Sequence, residues 1–269
     1  MSRITVIIPT YNRADKIEKP IRSVLDQTYE DFMLIIVDDC SNDDTESVVR
    51  SICDDRLVYH RLSENMGAAG ARNEGVRLSR TEFIAFHDSD DIWLPDKLEK
   101  QMNYMDTHPD AGMVYGRMRV IAPEKTYEFP NEAISGDLEG NLYPWLLRRN
   151  TIGAPVMLMK KNHFEEIGGF DVSLRCLEDW EFATRFSRKF EIGYIDDVLM
   201  ETFFSEGGVS KNTGGYYMAR CKMLSLYKED IIGLGLFDEI VMDIFTRAEK
   251  SGVLPQVQKM LMSYMSGRL

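Results

Sequence analysis

The stretch 83-FIAFHDSDDIW-93 sets an apolar run directly against a cluster of acidic and hydroxyl side chains. The run 83-FIAF-86 reads as a buried strand, and Asp88, Asp90 and Asp91 then crowd into one turn, where like charges disfavour ionisation. Such crowding implies a positive group nearby. Taken alone, Asp-x-Asp is a weak motif, because Asp and Ser are also favoured as helix caps and an acidic strand-to-helix turn needs no function. Context decides between the two readings.

Upstream, the apolar runs 4-ITVII-8, 32-FMLIIV-37 and 57-LVYH-60 alternate with helical patterns. Ile17, Ile21, Val24 and Leu25 fall at i, i+4, i+7 and i+8, and Val48, Val49 and Ile52 repeat the arrangement in the next crossover. Alternation of this kind predicts βαβ units: an α/β fold with a mostly parallel, Rossmann-like sheet flanked by helices. Ligands of an open parallel sheet bind outside the carboxyl ends of its strands. There the polar residues collect, in 9-PTYNR-13, 38-DDCSNDDT-45 and 87-HDSDD-91.

Downstream, 96-DKLEKQMNYMDTH-108 predicts a helix closed by Pro109, and 112-GMVYGRMRVI-121 a further strand. Residues 123 to 144 lack periodicity and read as a loop, in a place suited to a substrate-covering segment. A strand over 154-APVMLMKK-161, a turn at 168-GGFD-171 and a helix over 178-EDWEFATRFSR-188 follow. Stripes at Phe237, Ile240, Val241, Ile244 and at Val257, Met260, Leu261, Tyr264 predict a helical C-terminal appendage. Packing on the main domain is favoured for it over an oligomer contact or an interfacial membrane helix.

With 269 residues, 44% of them hydrophobic, the chain can bury a large core without staples. Cys40, Cys53, Cys176 and Cys221 form no C-x-x-C pair, so neither a zinc site nor a disulfide framework is indicated, and a reducing cytoplasm is the simple reading. The apolar part of 1-MSRITVIIPTYNR-13 is too short for a signal peptide, and no window has the length of a membrane span. A soluble protein, at most peripheral to the membrane, is expected. The net charge of −12 argues against nucleic acid as a partner, with 148-RR-149 and 160-KK-161 read as ordinary surface.

Neither G-x-G-x-x-G nor a P-loop follows the first strand, so a diphosphate would lack its usual glycine cradle. A divalent cation bridging carboxylate and phosphate oxygens is the remaining way to neutralise it, and Mn²⁺ or Mg²⁺ suit all-oxygen ligands. If the backbone stays extended past Phe86, Asp88 and Asp90 point to one side, as a shared metal requires, and His87 to the other, which favours a structural role for it. His60, His108 and His163 show no ligand spacing.

The set 7-IIPTYNR-13, 22-RSVLDQTYEDFMLIIVDDCSNDDT-45, 65-NMGAAGARNEG-75, 86-FHDSDDIWLPDKL-98, 168-GGFD-171 and 178-EDWEF-182 closely resembles the inverting family 2 glycosyltransferases of GT-A fold, in consistent order over roughly residues 3 to 210. The resemblance implies a GT-A domain over 1–215, with a nucleotide-sugar-binding half (1–110) and an acceptor-binding half (111–215), and a helical extension over 216–269. It implies a UDP-sugar donor and a hydroxyl of a glycan, glycolipid or glycoprotein as acceptor. Tyr11, with Arg13 beside it, would flank the donor base, Asp39 would bond the uracil edge, Arg72 would help hold the nucleotide, Asp88 would lie near the ribose, and Pro9, Thr10 and Ser89 would belong to the same donor-binding set. Asp90, with Asp88, would hold the metal. Asp179 would be the general base, with Glu178, Trp180 and Trp93 on the acceptor side. The reaction implied is a single in-line displacement with inversion, in the cytoplasm or at the inner face of the membrane. Contact with the membrane and a homo-oligomer through the C-terminal helices stay open.

One departure counts. Many relatives carry a His downstream of the acidic pair, and 201-ETFFSEGGVSKN-212 has none: Ser205 stands near its place and Ser210 matches the family's Ser. A third protein ligand to the metal is therefore in doubt. A sugar nucleotidyltransferase would want a basic, Gly-rich segment where 9-PTYNR-13 stands, and a non-catalytic glycan-binding module would not need Asp39, Asp90 and Asp179 together.

Overall fold

The computed structural model describes residues 2–130, 138–203 and 213–266. In chain order these form β1 (Ile4–Thr10), α1 (Glu18–Leu25), β2 (Phe32–Asp38), α2 (Thr45–Arg50), β3 (Leu57–Arg61), α3 (Gly67–Leu78), β4 (Phe83–Phe86), β5 (Ile92–Trp93) and α4 (Lys97–Thr107). The second half adds β6 (Ala111–Ile121), β7 (Thr126–Phe129), α5 (Tyr143–Leu146), β8 (Leu158–Lys160), α6 (Lys161–Glu166), α7 (Glu178–Ser187) and β9 (Glu191–Phe203). Four helices close the chain: α8 (Thr213–Leu226), α9 (Lys228–Gly233), α10 (Phe237–Lys250) and α11 (Leu254–Met265).

One sheet runs in the order β3-β2-β1-β4-β8-β6-β9-β5, with β7 paired to β6. The parallel expectation holds for β3, β2, β1 and β4. Every residue of β1 is buried, because helices cover both faces of a parallel sheet and leave no polar side to the strand. Beyond β4 the sheet is mixed: β8 is antiparallel to β4 and β6, β9 is parallel to β6, and β5 is antiparallel to β9. Each antiparallel pair includes a strand of the second half, β7, β8 or β9.

Helix α3 lies flush on β1 and β2, since a Cβ on Gly75 would stand 2.4 Å from Ile7 Cγ2 and 3.2 Å from Val37 Cγ2. The ends of β1 and β2 are level, Asp39 N–H donating to Thr10 O at 2.8 Å, whereas β4 ends opposite Ile7, three residues earlier, with His87 N–H donating to Ile7 O at 3.0 Å. The acidic turn 88–91 is therefore pinned on both sides, by β4 before it and by β5, held on β9, after it.

The 123–144 segment expected as a loop contains β7 and the start of α5, and residues 131–137 lie outside the described part. The C-terminal stripes pack as expected: Ile240, Ile244, Val257 and Leu261 are buried in the same hydrophobic cluster as the sheet. Among the described residues, no helix is long and apolar enough to cross a membrane.

Candidate active site

Three backbone irregularities surround the strand ends. Asn12, Cys40 and Leu177 take left-handed conformations, with φ of 51°, 67° and 58°. Each costs of the order of 1–3 kcal/mol unless its surroundings hold it. Each also neighbours an expected site residue: Asn12 follows Tyr11, Cys40 follows Asp39, and Leu177 precedes Glu178. Only Asn12 carries a sequence signal, since Asn tolerates this region and Leu does not.

Asp38 and Asp39 divide their work. Asp38 is structural, accepting from Ser41 N–H at 2.8 Å and from the Tyr59 hydroxyl at 2.5 Å. Asp39, 4% exposed, accepts from Met66 N–H at 2.6 Å and Gly67 N–H at 2.8 Å, at the N-terminus of α3. Burial raises its carboxyl against those two bonds and the nearby Arg175. The Arg175 side chain crosses Gly67, where a Cβ would meet its Nη1 at 2.5 Å, a contact no sequence motif announced. Tyr11, 42% exposed, caps the end of β1. Pro9 and Thr10 are buried in that strand, and Ser89 is nearly so.

Arg72 departs from expectation. Its guanidinium is buried, with Nη2 2.6 Å from Asp88 and Nη1 2.8 Å from Glu178 while Nε has no partner among the described residues, so two of its three nitrogens brace the site's carboxylates. Asp90 keeps a third of its side chain exposed and, among the described residues, has only Arg13, at 3.7 Å, as an ion-pair partner. Burial, then the neighbouring Asp88, raises its carboxyl. Asp91 starts no helix, as Pro95 and Asp96 precede α4. It turns inward and burial, with Asp88 and Asp90 adding to it, pushes it to about 8 despite bonds from Thr202 and Phe203.

Trp93 and Trp180, expected on the acceptor side, are buried at 2% and 4% exposure and neither ring is accessible. Trp93 donates to Pro155 O at 3.2 Å and lies between two buried groups, the His87 ring at 4.7 Å and the Lys97 ammonium at 3.9 Å from its centroid. Burial holds both His87 and Lys97 well below their ordinary pKa values, and His87 is structural as expected. Trp180 donates to Leu146 O at 2.6 Å.

Asp179 sits in the first turn of α7. Its Oδ1 accepts from Trp180 N–H at 2.7 Å and its Oδ2 from Ala154 N–H at 3.3 Å. Burial, then the adjacent Glu178, pushes its carboxyl up to about 7, although Arg72 pulls the other way. A carboxylate with that value can accept a proton near neutral pH. The Ala154 contribution was not legible in 150-NTIGAP-155, because it depends on a fold-back across the sheet. Ser205 and Ser210 lie outside the described residues. An open cleft of about 470 Å³ lies elsewhere, at the opposite ends of β4 and β8, and its Lys160 and Lys161 ammoniums donate to the Pro109 and Ser79 carbonyls.

The strand-end acidic turn and the acidic pair on α7 are thus joined through one arginine, on a mixed sheet flanked by helices. The model of the Glycosyl transferase family 2 matches residues 5–168, and the chain belongs to that family. An uncharacterized glycosyltransferase of Haemophilus influenzae is 31% identical over 182 residues, 68% of this chain and 61% of that protein. The Escherichia coli UDP-Glc:alpha-D-GlcNAc-diphosphoundecaprenol beta-1,3-glucosyltransferase WfaP is 39% identical over 107 residues, 40% of this chain and 43% of its own. The chain thus spans less than two thirds of these relatives. Among solved structures, S. aureus TarS 1-349 with UDP-GlcNAc superposes with a TM-score of 0.68 at 16% identity, covering 99% of this chain and 92% of that one. The mannosyltransferase PcManGT from Pyrobaculum calidifontis, with GDP-Man and Mn2+, gives 0.64 at 20% identity, covering 98% and 75%. At such identities the likeness is one of fold, the GT-A fold.

Proposed function

We propose that this chain is an inverting, metal-dependent glycosyltransferase that moves a sugar from a UDP-sugar to a hydroxyl of a glycan, glycolipid or glycoprotein acceptor, on the cytoplasmic side and at most peripheral to the membrane. The observation that carries the reading is Asp179: a carboxyl raised to about 7, fixed by two backbone N–H groups and tied through Glu178 and Arg72 to the acidic turn. Residues 1–110 would bind the nucleotide and 111–215 the acceptor, with 216–269 as an extension.

In the reaction, Asp179 takes the proton of the acceptor hydroxyl as that oxygen attacks the anomeric carbon. The bond from that carbon to the diphosphate oxygen breaks on the opposite face, so configuration inverts. Tyr11 offers its exposed ring to the base, beside Arg13. Each Asp39 oxygen holds one backbone N–H and retains a lone pair for the edge of uracil.

The acidic turn fits a hard cation, being all oxygen and poorly neutralised at Asp90. Among the described residues no group of three His, Cys, Asp or Glu is placed to hold a metal, so Asp90, with Asp88 behind it, would share Mn²⁺ or Mg²⁺ with phosphate and water oxygens. The cation, when bound, would stabilise the departing diphosphate. The UDP-sugar in WfaP's name and the UDP-GlcNAc bound by TarS support a uridine donor, and the Mn2+ bound by PcManGT supports a metal. A panel of UDP- and GDP-sugars with Mn²⁺, followed by NMR of the product's anomeric configuration, tests the reading: retained configuration would exclude the single displacement.

A further inference from the structure

Helix α7, which carries Asp179, and helix α5 both lean on the C-terminal helices. Trp180 follows Asp179 in the first turn of α7, and the guanidinium of Arg220, from α8, lies over its ring, with Cζ 4.7 Å from the centroid. Arg220 is 5% exposed; its Nη1 stands 3.2 Å from Asp243 and 3.3 Å from the Tyr216 hydroxyl, and its Nη2 has no partner among the described residues. A buried arginine with one nitrogen unsatisfied is costly, and an apolar side chain would fill the space more cheaply. In the same first turn of α7, Glu181 accepts from the Tyr227 hydroxyl at 2.8 Å. From α9, Asp230 accepts from the Tyr143 hydroxyl of α5 at 2.5 Å and lies 3.3 Å from Arg188 at the end of α7. Helix α5 leads into the segment that ends at Ala154, whose N–H meets Asp179. Side chains of α8 and α9 therefore reach α7, which carries Asp179, and α5, which precedes the Ala154 segment by eight residues.

We propose that Arg220 is a positioning residue for Asp179: stacked on Trp180, it sets the first turn of α7 so that the carboxylate faces the acceptor hydroxyl, which makes the helical extension part of the catalytic apparatus. The inference rests on Asp179 being the base. It predicts a loss of turnover without a loss of nucleotide binding, because among the described residues the polar and ring partners of Arg220 belong to α7 or the C-terminal helices.

The test compares Arg220→Met, Arg220→Lys and Asp179→Asn in the full chain. Turnover is read with UDP-glucose, UDP-N-acetylglucosamine or GDP-mannose, whichever the wild type uses best, and affinity for the corresponding UDP or GDP by calorimetry. The Met variant should lose about 10²-fold in kcat, the scale of a small misplacement of a reacting group, at unchanged nucleotide affinity. The Lys variant should recover part of the loss, since an ammonium can still sit over the ring. An unchanged kcat in the Met variant, or equal losses of kcat and nucleotide affinity, overturns the inference. Should the Met variant not fold, Trp180→Phe must show the same split, and full kcat there overturns it as well. Normal turnover by Asp179→Asn removes the base assignment and this inference with it, whereas an inactive Asn variant beside an active Met variant removes this inference alone.

Discussion

Glu178 accepts from Nη1 of Arg72 at 2.8 Å while the other arm of the same guanidinium donates to Asp88 at 2.6 Å. One buried cation thus spans the acidic turn after β4 and the acidic pair at the start of α7, which lie 90 residues apart in sequence (178 − 88). Burial alone would pull the arginine's pKa down, but the two carboxylates more than reverse it. Arg72→Met would leave both carboxylates facing a vacated buried charge. A loss of about 3–5 kcal/mol in urea unfolding is expected, with Arg72→Lys recovering little because one ammonium cannot fork to both partners. A loss below about 1 kcal/mol would mean the pair is screened as surface ion pairs are.

The close approach of α3 to the sheet gives a second expectation. Gly75→Ala would place its Cβ 2.4 Å from Ile7 Cγ2 and 3.0 Å from Ile7 Cγ1. Ile7 is fully buried in the central strand and has nowhere to move. Overpacking of this kind costs about 1–3 kcal/mol despite the gain from removing a helical glycine. Denaturant unfolding of the Ala variant checks it, and equal or greater stability would show that α3 can shift away from β1.

The parallel half of the fold was legible because its strands are continuous apolar runs and its crossovers carry helical stripes, as with Ile17, Ile21 and Val24. The mixed half was less so: β9 (Glu191–Phe203) alternates buried and exposed residues irregularly along thirteen positions, through register shifts against β6 that no sequence period reveals. In the candidate site, Asp39, Asp90 and Asp179 stand out through the motifs that resemble the family, and the structure sets Asp39 at the end of β2, Asp90 after β4 and Asp179 in the first turn of α7. The role of Arg72 could not be read this way, because whether a cation faces a ligand or a pair of carboxylates depends on where α7 returns. Trp93 and Trp180 failed for a related reason: adjacency to acidic residues in sequence says nothing about which side of the backbone is solvent.

Asp90 is raised by burial and by Asp88, and its only ion-pair partner among the described residues, Arg13, is 3.7 Å away. A divalent cation there would favour the ionised form. Mn²⁺ is expected to tighten UDP binding by about tenfold or more, roughly 1.4 kcal/mol, and Asp90→Asn to remove that increment while leaving metal-free binding alone. Calorimetry with Mn²⁺ and with EDTA separates the two. An equal Mn²⁺ increment in the Asn variant would sink the assignment.

Asp179 should govern both activity and stability as pH changes. Its carboxyl is raised from 3.8 in the unfolded chain to about 7, by burial first and Glu178 second. Only the ionised form can accept the acceptor's proton, so kcat/KM should rise about tenfold per pH unit up to about 7 and level off above it. Stability runs the opposite way: below 3.8 both states hold the proton, and as pH rises the unfolded chain releases it first, so this group's stabilising contribution declines and is gone above about 7. Asp179→Asn, which cannot ionise, should therefore melt higher relative to wild type at pH 8 than at pH 4, while turning over about 10²–10⁴-fold more slowly. Thermal melts of the two proteins at both pH values, with a pH–rate profile of the wild type, check the pair of expectations together. A flat profile through pH 7, with an Asn variant no better off at pH 8 than at pH 4, would show that the carboxyl keeps its ordinary value and that another group takes the proton.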